Sequence, residues 1–367
     1  MGFGPVSSIC CRRSGRTEGS QAASSRSGPP IAYAPAVARV TVFAAGAAGT
    51  AVAIHLARKG EDVVLWGSEH DARVLHQLIE SRVHPALPEH VPHEVRILGP
   101  EGLDEAGGHA EIAVMGANSD GARSLGGLVA PALGAGTRSV VSIAKGLEPG
   151  SHKRMSEVYG ESVEGPAVVA MSGPSLASEL AEGVPTAVVL ASEDEGALKE
   201  VAECFRSETF LVDVTDDVIG TEICGMAKNV AAIGVGVLEG LSKYRQRSNM
   251  NPRAALFTRA AQEMARLVEA LGGRPETAFG LAGIGDLLVT SLGGRNRLYG
   301  EAVGMGAEAD HTLKDLTARG LTVEGAASAA DVHTLAAERG LDLPVHEAVY
   351  RVVHEGAPAE TILEALR

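Results

Sequence analysis

The sequence predicts an α/β protein, a Rossmann-like doubly wound sheet followed by an all-α C-terminal region. From Arg39 to about residue 215, short β-branched and apolar runs alternate with helical patterning, and beyond Asp216 the strand signal stops. A glycine-bearing turn, Ala44 to Gly49, separates the first strand from the first helix. The expected organisation is a tail over 1–36, a dinucleotide-binding region over 37–215 and a helical substrate and catalytic region over 216–367.

The tail is rich in Ser, Gly, Arg and Pro and carries one acidic residue, Glu18. Such a composition buries too little apolar surface to order itself, so disorder is expected. Its glycine content and lack of amphipathic period argue against a transit peptide, and no apolar run supports secretion. An over-extended translation start is the favoured explanation, with Val37 as a natural beginning.

A dinucleotide-binding βαβ unit follows: a strand over Val40–Phe43, the turn, a helix from about Thr50 to Lys59, and a strand over Val63–Trp66. The G-x-G-x-x-G fingerprint is present with Ala44 at its first glycine. A pyrophosphate would rest on the helix N-terminus at Gly46, Ala47 and Ala48, with Gly46 allowing close approach and Gly49 close packing. If Ala44 must take a positive φ, its Cβ strains the turn and weakens cofactor binding. After the second strand, Ser68 suits either ribose, Glu69 favours NAD and Arg73 suits a 2′-phosphate, so NAD and NADP both stay open.

Further strands are expected at Ile112–Met115, Ser139–Ile143, Ala167–Met171 and Thr186–Leu190. In a doubly wound sheet, ligands sit at the carboxyl ends of the strands. Lys145, just past one such end, either contacts ligand or caps the strand at the surface. Helices follow, including Ala254–Leu271 with a core stripe of Leu256, Ala260, Met264, Leu267 and Leu271.

Composition narrows the function classes. With 45% hydrophobic and 21% charged residues among 367, the chain is of globular type. The net charge of −14 argues against nucleic acid as a partner. Val40–Ile54, taken as the longest mainly apolar stretch, falls short of the roughly 18 residues a spanning helix needs. The 12 histidines and 4 cysteines form no ligand pattern, so no metal is expected, and Cys204 and Cys224 are expected as buried thiols.

The chemistry is concentrated late in the chain. Lys228 lies among Thr221, Met226, Ala227, Val230 and Ala231 on an apolar helix. Burial would bring its pKa down towards a range useful for proton transfer, whereas a lone lysine would more often reach out to water. Asp286 follows Gly283-Ile284-Gly285 and is placed to orient that ammonium, or alternatively to cap a helix. Arg295 and Asn296 follow Gly293-Gly294, and a guanidinium fork beside an amide suits a phosphate. Lys145, Lys228, Arg295 and Arg297 would supply the local positive charge.

Six segments carry a family resemblance. Glu222–Gly236, Asn251–Met264 and Leu281–Arg297 resemble the helical region of NAD(P)-dependent glycerol-3-phosphate dehydrogenases. Ser142–Leu147 and Ser172–Glu179 resemble two upstream motifs of that family, and Val323-Glu324-Gly325 resembles a third, in the expected order. The likeness runs from about Val37 to the C-terminus.

The resemblance implies reversible reduction of dihydroxyacetone phosphate to sn-glycerol 3-phosphate with NAD or NADP, feeding glycerophospholipid synthesis in the cytoplasm. Lys228 would be the proton donor, Lys145 would polarise the carbonyl and Asp286 would orient Lys228. Gly173, Ser175, Thr290, Gly294, Arg295 and Asn296 would contact substrate. The cofactor would meet Gly46, Ala47, Ala48, Gly49, Ser68, Lys145, Ala177, Arg295, Val323 and Glu324. Glu324 is alternatively a helix-start carboxylate without a ligand.

The chain departs from the family pattern at Ser68, where an arginine is frequent, and at Asn118, where proline is usual and its loss would loosen the loop. The segment from Asp286 to Arg295 is shorter than in many bacterial members. The expected partners are a phosphorylated small molecule and, in a homodimer, a second copy of the chain. Two rivals are a related dehydrogenase with another phosphorylated or hydroxy-acid substrate and a non-catalytic dinucleotide-binding paralogue.

Overall fold

A computed structural model describes residues 37–319 and 321–367; the expected disordered tail lies outside the described residues. The strands are β1 (Arg39–Phe43), β2 (Asp62–Trp66), β3 (Arg96–Leu98), β4 (Ile112–Met115), β5 (Ser139–Ser142), β6 (Ala167–Ser172), β7 (Thr186–Ala191) and β8 (Phe210–Thr215). The sheet-region helices are α1 (Ala47–Lys59), α2 (Ala72–Ser81), α3 (Leu103–His109), α4 (Ala122–Val129), α5 (Met155–Ser162), α6 (Ala177–Glu182) and α7 (Glu195–Phe205). Then come α8 (Val218–Tyr244), α9 (Met250–Ala270), α10 (Asp286–Leu292), α11 (Arg295–Gly304), α12 (Ala309–Ala318), α13 (Glu324–Arg339), α14 (Pro344–His354) and α15 (Thr361–Glu364).

The eight strands form one sheet in the order β3-β2-β1-β4-β5-β6-β7-β8. The chain leaves β1 in one direction through β2 and β3 and resumes on its other side at β4, so β1 and β4 flank the switch point where ligands bind in open α/β sheets. Apolar side chains cover both faces, with Val40, Val42, Ile54 and Leu65 in one core and Phe43, Val64, Trp66 and Met115 in the other.

The sheet is not parallel throughout, as the doubly wound reading implied. β6 and β7 are antiparallel, while β7 and β8 are parallel to each other. Two strands were absent from the sequence expectations. β3 is three residues long, too short for an alternating pattern, and β8 is an edge strand that buries Phe210 and Val212 but exposes Leu211 and Val214.

The helical region is built around α8. An 18-residue window of this helix has mean hydropathy 1.3, making it a longer apolar stretch than Val40–Ile54 and long enough to cross a membrane by composition. With 94% of that window buried by protein, it is the axis of the helical core. The Leu256, Ala260, Met264 and Leu267 stripe of α9 is buried against it, with Leu271 half-buried.

α11 lies directly on α8 because both present glycines. A Cβ at Gly236 would overlap the Arg297 carbonyl oxygen, and one at Gly300 would overlap that of Ile233; Gly240 and Gly304 repeat the arrangement one turn on. The closeness fixes where the α11 N-terminus, with Arg295 and Asn296, stands relative to Lys228. Gly300→Ala is expected to destabilise the fold by roughly 2 kcal/mol, since overpacking outweighs the gain in helix propensity. Urea unfolding checks this; an unchanged midpoint would refute the backbone-to-backbone packing.

Candidate active site

Three side chains distant in sequence form one buried charge network. Lys145, in the loop after β5, donates from Nζ to Asp286 Oδ2 at 2.6 Å and to the Gly173 carbonyl at 2.9 Å. Lys228, on α8, donates to Asp286 Oδ1 at 3.1 Å and to Thr290 Oγ1 at 2.7 Å. Asp286 is 2% exposed and Lys228 5%, so neither ammonium nor carboxylate is a surface group. Lys228 does not reach out to water, and Lys145 does not cap its strand at the surface.

Local sequence explains each position. Leu281–Gly285 forms a π turn closed by Gly285 N–H donating to the Gly280 carbonyl at 3.2 Å, and this wide turn delivers Asp286 as the first residue of α10. Asp286 makes no capping bond there; its carboxylate goes to the lysines. Gly173 takes a φ of 116° after β6, and its carbonyl accepts from both Lys145 and Ser175 Oγ. Gly225 brings α8 against Lys145, since a Cβ there would lie 3.0 Å from Ser172 Oγ and 3.7 Å from Lys145 Cγ.

Burial pulls the Lys228 pKa below the ordinary lysine value; the Asp286 carboxylate pulls it back and the Lys145 ammonium pushes it further down. For Asp286, burial alone would raise the pKa, but the two ammonium groups override it and hold the carboxyl below its usual range. The net charge of two lysines and one aspartate is positive, which suits an anionic ligand within an acidic protein.

The network opens on a cavity of about 240 Å³ bounded by Ala47 and Ala48 of α1, Ala177 of α6, Thr290, Arg295 and Glu324. A second space of about 150 Å³ shares Lys228, Thr290, Arg295 and Glu324 and adds Gly293, Gly294 and Asn296. Arg295 is exposed and makes no hydrogen bond or ion pair among the described residues. Its guanidinium fork is therefore free for an anion. Gly294, at φ 93°, provides the turn into α11.

Asn296 is partly committed: its amide donates to Asn229 Oδ1 at 2.8 Å and its oxygen accepts from Gly325 N–H at 2.9 Å, leaving one N–H for an anionic ligand. Asn229 in turn donates to Glu324 Oε2 at 3.4 Å. Asn229 was missing from the sequence-derived site, though its place beside Lys228 on a buried helix was a usable signal. Arg297 corrects an expectation: Glu239 and Glu301 hold it by ion pairs, so it lends no charge to the cavity. The apolar side chain of Val323 is 5% exposed and packs into the helical core, so its backbone is the part available to a cofactor.

The turn after β1 has room for a pyrophosphate. A Cβ built on Gly46 would meet nothing within 4 Å, whereas one on Gly49 would lie 2.6 Å from the Ala44 carbonyl oxygen. The α1 N-terminus has no side-chain cap and no acidic residue in its first turn, so its backbone N–H groups are free for an anion. These residues fit a dinucleotide. Ser68 fits it less well than expected, because its hydroxyl donates to Asp71 Oδ2 at 3.0 Å and accepts from His70 N–H in a capping box. Glu69 and Arg73 are exposed. Asn118 does not loosen its loop; its Oδ1 caps the following turn by accepting from Gly121 N–H at 3.1 Å.

Ala44 does take a positive φ, 82°. An L-residue there is strained by about 1–2 kcal/mol, part of which reflects on substitution against the greater freedom of unfolded glycine. Ala44→Gly is therefore expected to raise stability by roughly 1 kcal/mol in thermal unfolding, and a loss of stability would contradict the strain. Asp286→Asn leaves the buried Lys228 ammonium and the partly buried Lys145 ammonium without their carboxylate and is expected to cost about 3–5 kcal/mol. Because Lys228 can shed its proton once the carboxylate is gone, the loss should shrink between about pH 6 and about pH 9. Urea unfolding at both pH values checks this; a pH-independent loss would argue against the coupling.

Comparison with known proteins agrees over nearly the whole described chain. Family models described as the N-terminus and the C-terminus of NAD-dependent glycerol-3-phosphate dehydrogenase match residues 39–198 and 217–364. An NADP(+)-dependent glycerol-3-phosphate dehydrogenase of Archaeoglobus fulgidus is 35% identical over 334 residues, covering 88% of this chain and 97% of that protein. A glycerol-3-phosphate dehydrogenase [NAD(P)+] of Salinibacter ruber is 37% identical over 334 residues, with 89% and 94% covered. The crystal structure of glycerol-3-phosphate dehydrogenase from Coxiella burnetii superposes with a TM-score of 0.80 at 33% identity, over 90% of this chain and 99% of that one. The chain with the buried Lys145–Asp286–Lys228 network thus belongs to the NAD-dependent glycerol-3-phosphate dehydrogenase family.

Proposed function

We propose that the protein catalyses the reversible NAD(P)H-dependent reduction of dihydroxyacetone phosphate to sn-glycerol 3-phosphate, feeding glycerophospholipid synthesis. The observation that carries this reading is the free Arg295 guanidinium bordering the same cavity as the buried Lys228–Asp286 pair. It offers a proton donor at one end and a phosphate-binding fork at the other, which is what a phosphorylated ketone requires. Bound NAD(P)H supplies the hydride that reaches C2. Gly46, Ala47, Ala48 and Gly49 would hold the pyrophosphate, with Ala177 and Glu324 bordering the path to the reacting centre.

Lys228 gives its Nζ proton to the C2 oxygen as negative charge develops there, and takes it back in the oxidation direction. Its lowered pKa makes that transfer less costly near neutral pH. Lys145 polarises the same oxygen, and Asp286 fixes both ammonium groups so that little reorganisation accompanies the charge change. Thr290 accepts from Lys228 and limits its rotamers. Arg295, Gly294 and the remaining N–H capacity of Asn296 hold the phosphate, while Gly173 and Ser175 border the substrate. The sheet region to about residue 215 and the helical region from 216 would act as two domains that close over the substrate and exclude water. The reading includes a cytoplasmic homodimer, for which sedimentation of the purified protein is the test.

Purified protein with dihydroxyacetone phosphate and either reduced cofactor is expected to lose absorbance at the nicotinamide band. Lys228→Ala should lower kcat by about 10³-fold while cofactor binding persists. Arg295→Gln should raise the KM for dihydroxyacetone phosphate by roughly 10- to 100-fold through loss of charge-assisted hydrogen bonds. Folded protein that oxidises neither cofactor, or a Lys228→Ala variant with an undiminished rate, would overturn the assignment.

A further inference from the structure

The dinucleotide turn depends on which way one peptide faces. Ala45 is fully buried, and its carbonyl accepts a hydrogen bond from Thr50 Oγ1 at 3.2 Å. No cis peptide occurs among the described residues, and in a planar trans peptide the C=O and the following N–H point oppositely. With the Ala45 carbonyl directed into the core, the Gly46 N–H is directed outward, towards the open space beside Gly46.

A second side chain stands near that carbonyl. His84, in the loop after α2, is 4% exposed. Its Nδ1 accepts from the Ala86 N–H at 3.0 Å, so Nδ1 carries a lone pair and a neutral ring holds its proton on Nε2. Nε2 is buried and has no hydrogen-bond partner among the described residues, and the Ala45 carbonyl is near enough to the ring to favour its protonated form. Burial holds the imidazole below its ordinary pKa, with the Ala45 carbonyl and the charge of Asp71 pulling the other way.

We propose that His84 is a positioning residue for the dinucleotide. As a neutral imidazole it joins Thr50 in holding the Ala45 carbonyl inward, so that the Gly46 N–H is presented to the pyrophosphate. The inference rests on the cofactor placement proposed above. It also carries a sign with pH. Protonation would put an Nδ1–H against the Ala86 N–H and a charge in a buried site. Because the folded pKa is depressed, the arrangement is fully present above the ordinary histidine value and is lost as pH falls below it.

Calorimetric titration of the full chain with NAD+, across neutral and acid pH and alongside thermal melts that verify folding, tests the proposal. His84→Leu is expected to weaken NAD+ binding about tenfold at every pH, and Thr50→Val to weaken it in the same direction. His84→Gln keeps one donor and one acceptor but does not titrate, so it should restore affinity at neutral pH and abolish the acid decline of the wild type. With dihydroxyacetone phosphate at saturating cofactor, kcat in these variants should stay within about twofold of wild type, a split that a general loss of structure would not produce. Folded His84→Leu that binds NAD+ as wild type does, or an acid decline that persists in His84→Gln, would overturn the inference alone. Wild-type protein that binds no NAD+ would overturn the cofactor placement and the inference with it.

Discussion

The site depends on one carboxylate. Asp286 is nearly inaccessible to water and is shared by two ammonium groups, one from the sheet region and one from α8. A charge so placed is costly to desolvate unless it is paired and hydrogen-bonded, and two lysines together with the Thr290 hydroxyl meet that condition. The same interaction joins the two regions of the chain, since Lys145 follows β5 and Asp286 begins α10. Packing and chemistry are therefore coupled: what holds the regions together also sets the protonation of the candidate acid.

Close helix packing supplies the second constraint. Glycines on α8 and α11 allow backbone-to-backbone contact, and Gly325 places the start of α13 against α8, where a Cβ would lie 2.6 Å from the Asn229 carbonyl oxygen. These contacts set Arg295, Asn296 and Glu324 around Lys228 before any ligand arrives. Preorganisation of this kind means that binding energy is not spent on assembling the site. The Asn296–Asn229–Glu324 bonds extend the order to groups that do not themselves carry the positive charge.

Three departures from the family pattern have different physical outcomes. Ala44 is a true compromise, an L-residue at a φ of 82° with its N–H held by the Trp66 carbonyl at 2.9 Å. Asn118 replaces one restraint by another, because a side-chain cap does locally what a fixed φ would do. At Ser68, where the family resemblance leads one to expect an arginine, the Asp71 carboxylate is bonded to both the N–H and the hydroxyl.

The sequence by itself determined the α/β class, the order of the main strands and helices, the βαβ turn and the identity of the charged residues. Each of these depends on local pattern, on hydrophobic periodicity, on glycine placement or on lysine and aspartate in apolar company. Tertiary structure decided what local pattern does not encode. It reversed β7 and β8 relative to the other strands, and it recruited the three-residue β3 and the edge strand β8. It tied Arg297 to two glutamates, turned Val323 into the core and drew Asn229 and His84 to the site's edges. Lys145 and Asp286 stand 141 residues apart. Only the packing of α8 and α10 against the ends of the strands places them within hydrogen-bond reach, and that geometry turns separate charged residues into a candidate catalytic group.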